Sequence, residues 1–133
     1  MSEMFVTVTI RNPAMPERIW KELFLIDART IDSLVPRDQL EAIGLRPVGH
    51  RSYELADGTE ARMDITTGQI EFMGEIVGGT IIMGTPGTKP ILGVTALASV
   101  GIDADPRNQT LKRLPAVRLK NMSAICCSEV GSG

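Results

Sequence analysis

The sequence is poor in the residues that support several common kinds of functional site. Its 133 residues include two cysteines, one histidine, one tryptophan and one tyrosine. The cysteines, Cys126 and Cys127, are neighbours, and adjacent cysteines rarely bridge because the disulfide strains the peptide between them. Without more Cys or His nearby, they also make a poor zinc site. We therefore expect two free thiols and no metal.

Long hydrophobic runs and an excess of positive charge are also missing. No apolar run reaches the ~18 residues that a membrane-spanning helix needs. The first ten residues lack the basic region, apolar core and cleavage site of a secretory signal. We therefore expect no membrane association and a cytoplasmic location. The net charge of -2 and the scattered Lys and Arg residues argue against a nucleic-acid partner.

The residues that are present indicate one globular β-rich domain. Hydrophobic residues make up 43% of the chain and charged residues 23%, which is typical of a globular protein. Residues 5–10 alternate apolar and Thr side chains, as in a half-buried strand. Turns rich in Gly and Pro recur about every eight to twelve residues. This pattern predicts an all-β fold, a small closed or semi-closed barrel with two short helices.

Local signals place the turns between these strands. Asn12-Pro13 and Met15-Pro16 predict a turn before a second strand over residues 20–26. Asp57-Gly58 stands between two extended runs, which is a strong hairpin signal. Thr67-Gly68 predicts a further turn. The end of the chain, from Asp105 to Leu119, predicts another hairpin.

Two short helical segments interrupt the strands. The first is predicted to begin at Pro36 and to end at Gly44, with Leu40 and Ile43 on its buried face. The second follows Gly93. Thr95 is the expected N-cap of this helix, and Gly101 is its expected end.

One segment combines an acid, the end of a strand and a tight turn. Phe24-Leu25-Ile26 should bury the strand and bring Asp27 to its end beside the core. A carboxylate in that position needs a partner, or its pKa must rise. If the partner is Asp27 of a second copy, one carboxyl group can act as acid and the other as base. The structural alternative is a turn aspartate that caps local amides or pairs with Arg29.

The segments around Asp27 resemble the retropepsin-like aspartic proteases, specifically their small bacterial and archaeal single-domain members, over residues 5–120. Ile26-Asp27 and Asp32-Ser33-Leu34-Val35-Pro36 are similar to the family's apolar strand with Asp-Thr-Gly and to the segment that opens its short helix. The hairpin at residues 53–59 resembles the flap, a mobile hairpin that closes over bound peptide. Ile91-Leu92-Gly93 resembles the element that packs under the active site.

The resemblance implies a protease domain over residues 1–120 and a disordered tail over residues 121–133. It implies an aspartic endopeptidase that acts as a homodimer on an extended peptide or protein substrate, with no metal or organic cofactor. The residues it assigns are the catalytic Asp27, the active-site loop residues Ala28, Arg29 and Thr30, the flap residues Ala56, Asp57 and Gly58, and the supporting residues Ile91, Leu92 and Gly93.

The chain departs from the family where Asp-Thr-Gly is replaced by Asp27-Ala28-Arg29. Ala28 lacks the hydroxyl that bonds across the dimer in the family. Arg29 carries a Cβ, which penalises a positive φ by ~1 kcal/mol or more, and its charge should lower the pKa of Asp27. We therefore expect an aspartic endopeptidase or a close relative that is impaired or inactive at its active site. The alternatives are an altered copy of an active parent and a non-catalytic peptide- or protein-binding module on the same fold.

The remaining polar positions have ordinary structural interpretations. Asp32 fits a capping or Asx-turn residue before the first helix. Asp57-Gly58 can close a surface hairpin with no further role. His50 at a strand start is expected to be exposed, and Ser33 lacks the neighbours that activate a nucleophile.

Overall fold

A computed structural model of the chain describes residues 3–105 and 107–115. Within these residues the chain forms nine strands and two short helices. In chain order they are β1 (Met4–Asn12), β2 (Met15–Ile26), β3 (Ser33–Pro36), α1 (Arg37–Ala42), β4 (Gly49–Glu54), β5 (Glu60–Phe72), β6 (Glu75–Gly84), β7 (Ile91–Leu92), α2 (Val94–Ser99), β8 (Ile102–Asp105) and β9 (Thr110–Arg113).

Seven of the strands form one sheet that closes on itself. The strand order is β1-β2-β7-β3-β6-β5-β4, and an additional antiparallel pairing of β1 with β5 joins the two sides into a ring. The strand β4 extends this ring from the outer edge of β5. The predicted all-β, semi-closed architecture with two short helices is therefore confirmed.

The core fills the inside of the ring. Every second residue of β1 from Val8 onward points inward, as the alternation in the sequence predicts. The largest fully buried apolar side chains come from β1, β2, β3, β5, β6, β7 and both helices: Val8, Ile10, Phe24, Val35, Leu40, Ile70, Ile81, Leu92 and Leu97. This shared core holds the ends of β2, β3 and β7 against one another.

The hairpin of β1 and β2 has a single turn, whereas two sequence signals each predict one. Pro13 and Ala14 form the turn, as Asn12-Pro13 indicates. Met15-Pro16 lies inside β2, so the prediction of a turn there is wrong. The register shifts after Arg11, which leaves residues 16–18 without ladder partners. Pro16 fits in this bulge because it has no amide hydrogen to donate.

The predicted turn at Thr67-Gly68 is also absent. β5 continues through both residues and pairs with β6 from Ile65 to Phe72. A Cβ at Gly68 would lie 3.1 Å from the Ile81 side chain and 3.2 Å from that of Leu45. The glycine therefore marks a close approach of two core side chains to the strand, which local sequence does not reveal.

The helices end where glycines predict, but they begin differently. α1 ends before Gly44, whose φ of +87° suits glycine. Pro36 is the N-cap of α1 and not its first helical residue. Gly93 is the N-cap of α2, so the assignment of Thr95 as N-cap is wrong. Gly93 directly follows β7 in an extended conformation, and the helix begins at the next residue, Val94, so Thr95 lies inside it.

The last described element is the hairpin of β8 and β9, which begins at Ile102, before the predicted start at Asp105. Residues 116–119 of the predicted hairpin lie outside the described residues. The expected tail at residues 121–133 and the two cysteines lie outside the described residues. Across the described part of the chain, neither helix has the length and apolar character needed to cross a membrane.

Candidate functional site

Asp27 follows directly after β2, at the end of a buried strand. Phe24 and Ile26 are buried in the core, so the strand that carries the carboxylate is held on its inner face. Leu25 and Ile26 also pair in parallel with Ile91 and Leu92 of β7. The strand end is thus fixed by packing and by backbone hydrogen bonds together, which agrees with the predicted delivery of Asp27 to the end of a strand.

The Asp27 carboxylate is held by the loop that follows it. One oxygen, Oδ1, accepts a hydrogen bond of 3.0 Å from the Arg29 amide, and the other, Oδ2, accepts one of 3.1 Å from the Thr30 hydroxyl. The Arg29 Nε lies 3.5 Å from Oδ1. The Arg29 amide, the Thr30 hydroxyl and the Arg29 charge lower the pKa of Asp27, and partial burial opposes them. Within one chain, the carboxyl group therefore favours its ionised form.

These contacts are also those that the structural interpretation of Asp27 expects, a turn aspartate paired with Arg29. The side chain of Asp27 is 26% exposed, whereas that of Arg29 is 93% exposed. The Arg29 guanidinium is therefore free to leave the carboxylate at small cost, since an exposed ion pair contributes little stability. The carboxylate keeps its amide and hydroxyl donors when it does.

The predicted backbone strain at Arg29 is absent. Among the described residues, the only non-glycine residues with positive φ are Met73 and Gln109. Arg29 therefore adopts a conformation that any L-residue can take, and its Cβ carries no penalty there. The loop accommodates arginine where the family has glycine because its backbone does not need a positive φ at this position.

The junction of β7 and α2 packs directly under the loop. The amide of Gly93 donates to the Ser33 Oγ at 2.9 Å, and the amide of Val94 donates to the Thr30 carbonyl at 2.8 Å. The Thr95 amide donates to the Ile31 carbonyl at 3.2 Å. Ser33 is buried and its hydroxyl oxygen accepts a backbone hydrogen bond, which gives it a structural function. Gly93 thus contacts the loop, as its predicted supporting role requires.

The hairpin formed by β4 and β5 has an exposed tip at residues 55–59. Gly58 has a φ of +88°, which explains the glycine of the Asp57-Gly58 pair. Asp57 Oδ1 accepts hydrogen bonds from the Thr59 amide and hydroxyl, and these contacts lower the pKa of Asp57. Ala56, like its neighbours, is exposed. The tip is therefore organised by contacts within the hairpin.

The β4 strand of the hairpin contacts the segment after the Asp27 loop through Asp32. The Tyr53 hydroxyl donates to Asp32 Oδ2 at 2.8 Å, and the Arg51 guanidinium lies 3.4 Å from the same oxygen. The capping interpretation of Asp32 is wrong, since α1 has Pro36 as its N-cap and no side-chain cap. The sequence alone does not reveal this contact. Its one local signal is that Arg51 and Tyr53 are two residues apart on β4, so that two hydrogen-bond donors share a face and can bind an acidic partner.

His50 and the potential metal ligands form no second candidate functional site among the described residues. His50 is exposed, as expected, and contacts the Arg62 side chain. Within the described residues, no group of three or more His, Cys, Asp and Glu side chains is placed to hold a metal ion.

Comparison with known proteins identifies the fold. No protein-family model matches the chain, and no curated protein sequence matches it. Among solved structures, the solution structure of the simian foamy virus (mac) protease is similar, with a TM-score of 0.51 and 17% sequence identity. The match covers 71% of this chain and 92% of the viral protease. The chain therefore has a retropepsin-like, aspartic protease-like fold.

Proposed function

We propose that the chain is an aspartic endopeptidase of the retropepsin type, which acts as a homodimer and whose altered loop reduces its activity. The observation that carries the proposal is the position of Asp27. It ends a buried strand, and each of its carboxylate oxygens accepts a hydrogen bond from the loop. A catalytic carboxylate needs this kind of orientation by fixed donors.

The chemistry requires two copies of Asp27, because one chain supplies one such carboxylate. A two-fold axis through the loop would bring the two together. They cannot both ionise easily at close range, so the pair holds one proton. The ionised carboxylate then takes a proton from water as it attacks the peptide carbonyl, and the protonated one donates to the carbonyl oxygen. An extended peptide would lie between the loops and the hairpins formed by β4 and β5, bound as an added strand.

The altered motif explains why activity should be low. Ala28 has no hydroxyl with which to bond across the dimer. The Arg29 amide lowers the pKa of Asp27 most, and the Thr30 hydroxyl and the Arg29 charge lower it further, which favours loss of the shared proton. Activity should therefore be confined to more acidic pH than in a dyad without a neighbouring cation.

The same contact supports a second candidate, a non-catalytic peptide- or protein-binding module. If Arg29 stays on Asp27 in the dimer, the pair of carboxylates is neutralised by two cations and holds no proton. The cleft would then bind an extended segment without cleaving it.

A peptidase assay on an unstructured protein substrate between pH ~4 and ~7 separates the two candidates, because carboxyl pairs titrate in that range. We expect weak cleavage by the wild type and none by Asp27→Asn. We expect higher activity from Ala28→Thr/Arg29→Gly. Arg29→Gln keeps a side chain of similar length without the charge, and it should extend cleavage to higher pH.

Asp38→Asn is the matched control, since Asp38 is an exposed acid on α1. It should cleave like the wild type, and so it shows that an Asp→Asn change alone does not abolish activity. If neither the wild type nor the restored variant cleaves while both remain folded, the endopeptidase proposal is refuted and the binding module is favoured.

A further inference from the structure

The Asp32 cluster, defined as Asp32 with Arg51 and Tyr53, joins the two parts of the proposed site. Asp32 belongs to the segment between Asp27 and β3, whereas Arg51 and Tyr53 lie on β4. Both β4 side chains approach the same oxygen, Asp32 Oδ2, at 3.4 Å and 2.8 Å. The cluster therefore connects the segment after Asp27 to the β4 strand of the hairpin, close to its tip, through side chains alone.

The loop end of this connection is rigid. Ile31 and Ser33, on either side of Asp32, each accept a hydrogen bond from the junction of β7 and α2. A built Cβ on Gly93 would lie 2.6 Å from the Asp32 carbonyl carbon, so the backbone there is in close contact with this junction. The Asp32 side chain is only 14% exposed. Asp32 is thus a hydrogen-bond acceptor in a fixed position, to which a side chain of the hairpin can donate.

The hairpin end is less constrained. Tip residues 55–59 are exposed and bond to one another. Tyr53 precedes the tip by two residues and pairs with Ala61 across the hairpin. Its hydroxyl is therefore placed to set the angle at which the exposed end leaves the sheet.

We propose that Asp32 is a positioning residue that, through the Tyr53 hydroxyl, holds the hairpin of β4 and β5 over the Asp27 loop. The inference rests on the proposed function for its catalytic meaning, because the hairpin is taken to close over bound peptide. Tyr53 carries most of the effect. The Arg51 side chain is 53% exposed, and its longer contact is weakened by solvent.

The first test is spectroscopic and needs no activity. Tyr53 is the only tyrosine of the chain, so the ultraviolet titration of the protein reports this phenol alone. Burial, and next the hydrogen bond to Asp32, raise the pKa of Tyr53 above its ordinary value. In Asp32→Asn the pKa should fall, since the negative charge is removed. An unchanged titration in a folded variant would mean that the contact does not exist in solution.

The second test measures the hairpin directly by amide hydrogen exchange of residues 54–60. A hydrogen bond to a charged acceptor commonly stabilises the closed state of a segment. Its loss should increase the equilibrium constant for local opening by about tenfold. Tyr53→Phe removes only the hydroxyl, and it should speed exchange in this segment by about tenfold. Glu54→Gln is the matched control, because Glu54 is exposed and its side chain points to the opposite face of β4. Equal exchange in Tyr53→Phe and the wild type would overturn the proposal.

The third test ties the cluster to the reaction. Asp32 and Asp27, both among the described residues, share no hydrogen-bond partner, so loosening the hairpin should weaken substrate and transition-state binding alike. KM should rise by about 3- to 10-fold in Tyr53→Phe while kcat changes by less than about 2-fold. Faster exchange with unchanged KM would reduce the contact to a purely structural one. If the wild type has no peptidase activity at all, the proposed function fails, and the exchange experiment still decides whether Asp32 holds the hairpin.

Discussion

Gly93→Ala should damage the site and the stability of the fold together. The amide of Gly93 donates to Ser33, and a Cβ added there would point at the loop. It would lie 2.4 Å from the Ile31 carbonyl oxygen and 2.7 Å from the Ser33 nitrogen. Both atoms are backbone atoms, which cannot rotate away as the end of a side chain can. The substitution therefore forces two segments of the chain apart.

The size of the effect follows from these distances. Ordinary van der Waals contact begins at 3.4 Å, so the closest contact is short by 1.0 Å (3.4 - 2.4). Overpacking of this kind typically costs about 2 kcal/mol, and one lost hydrogen bond adds about 1 kcal/mol. We expect a loss of about 3 kcal/mol in the free energy of unfolding, which is a large part of the stability of a typical domain.

Urea unfolding followed by circular dichroism measures this loss, and the melting temperature should fall by about 10 °C. Gly78→Ala is the matched control. Gly78 lies in β6, has no positive φ and has no atom within 4 Å of a built Cβ. Its replacement should be neutral or slightly stabilising. The reasoning would be refuted if Gly93→Ala unfolded at the same urea concentration as the wild type.

Two further substitutions test contacts that the fold makes. Asp27→Asn should change the pH dependence of stability of the single chain, measured at a protein concentration at which no dimer forms. There the lowered folded-state pKa of Asp27 stabilises the wild type above the unfolded pKa of about 3.9, and this contribution is lost as pH falls through the folded value. The stability difference between wild type and variant in urea unfolding should therefore shrink as pH falls from 6 toward 3, and a constant difference would contradict the assignment. Asn12→Ala should cost about 2 kcal/mol in the free energy of unfolding, because buried Asn12 donates to the Ile43 carbonyl at 2.8 Å and accepts from the Ala14 amide at 3.0 Å. Asn12→Asp keeps the acceptor but loses the donor, and stability equal to the wild type in either variant would show that these bonds are dispensable.

The sequence predicted the architecture and the location of Asp27 well, because both depend on local patterns. The alternation in β1 and the apolar run before Asp27 are properties of adjacent residues. The loop contacts of Asp27 were also within reach, since they come from the next three residues. The positive φ of Gly58 follows from the Asp-Gly pair in the same way.

Predictions based on single turn signals were less successful. Met15-Pro16 and Thr67-Gly68 carry ordinary turn residues, yet both lie inside strands. In the first case a bulge accepts the proline. In the second, the glycine makes room for side chains from β6 and from the segment after α1. Proline and glycine can mark either a turn or a close approach, and neighbouring residues do not distinguish the two.

The sequence by itself determined the alternation of β1, the strand that ends before Asp27, the helix end at Gly44 and the hairpin at Asp57-Gly58, because these features rest on side-chain alternation and on backbone preferences of one or two residues. Only the tertiary structure decided which distant segments meet. The pairing of Ile10 with Ile70 closes the ring. The Tyr53 hydroxyl donates to Asp32, and the sequence, which has sixteen acidic residues, does not indicate which of them is the partner. Such contacts depend on the relative position of remote strands, which the shared core sets and no local pattern encodes.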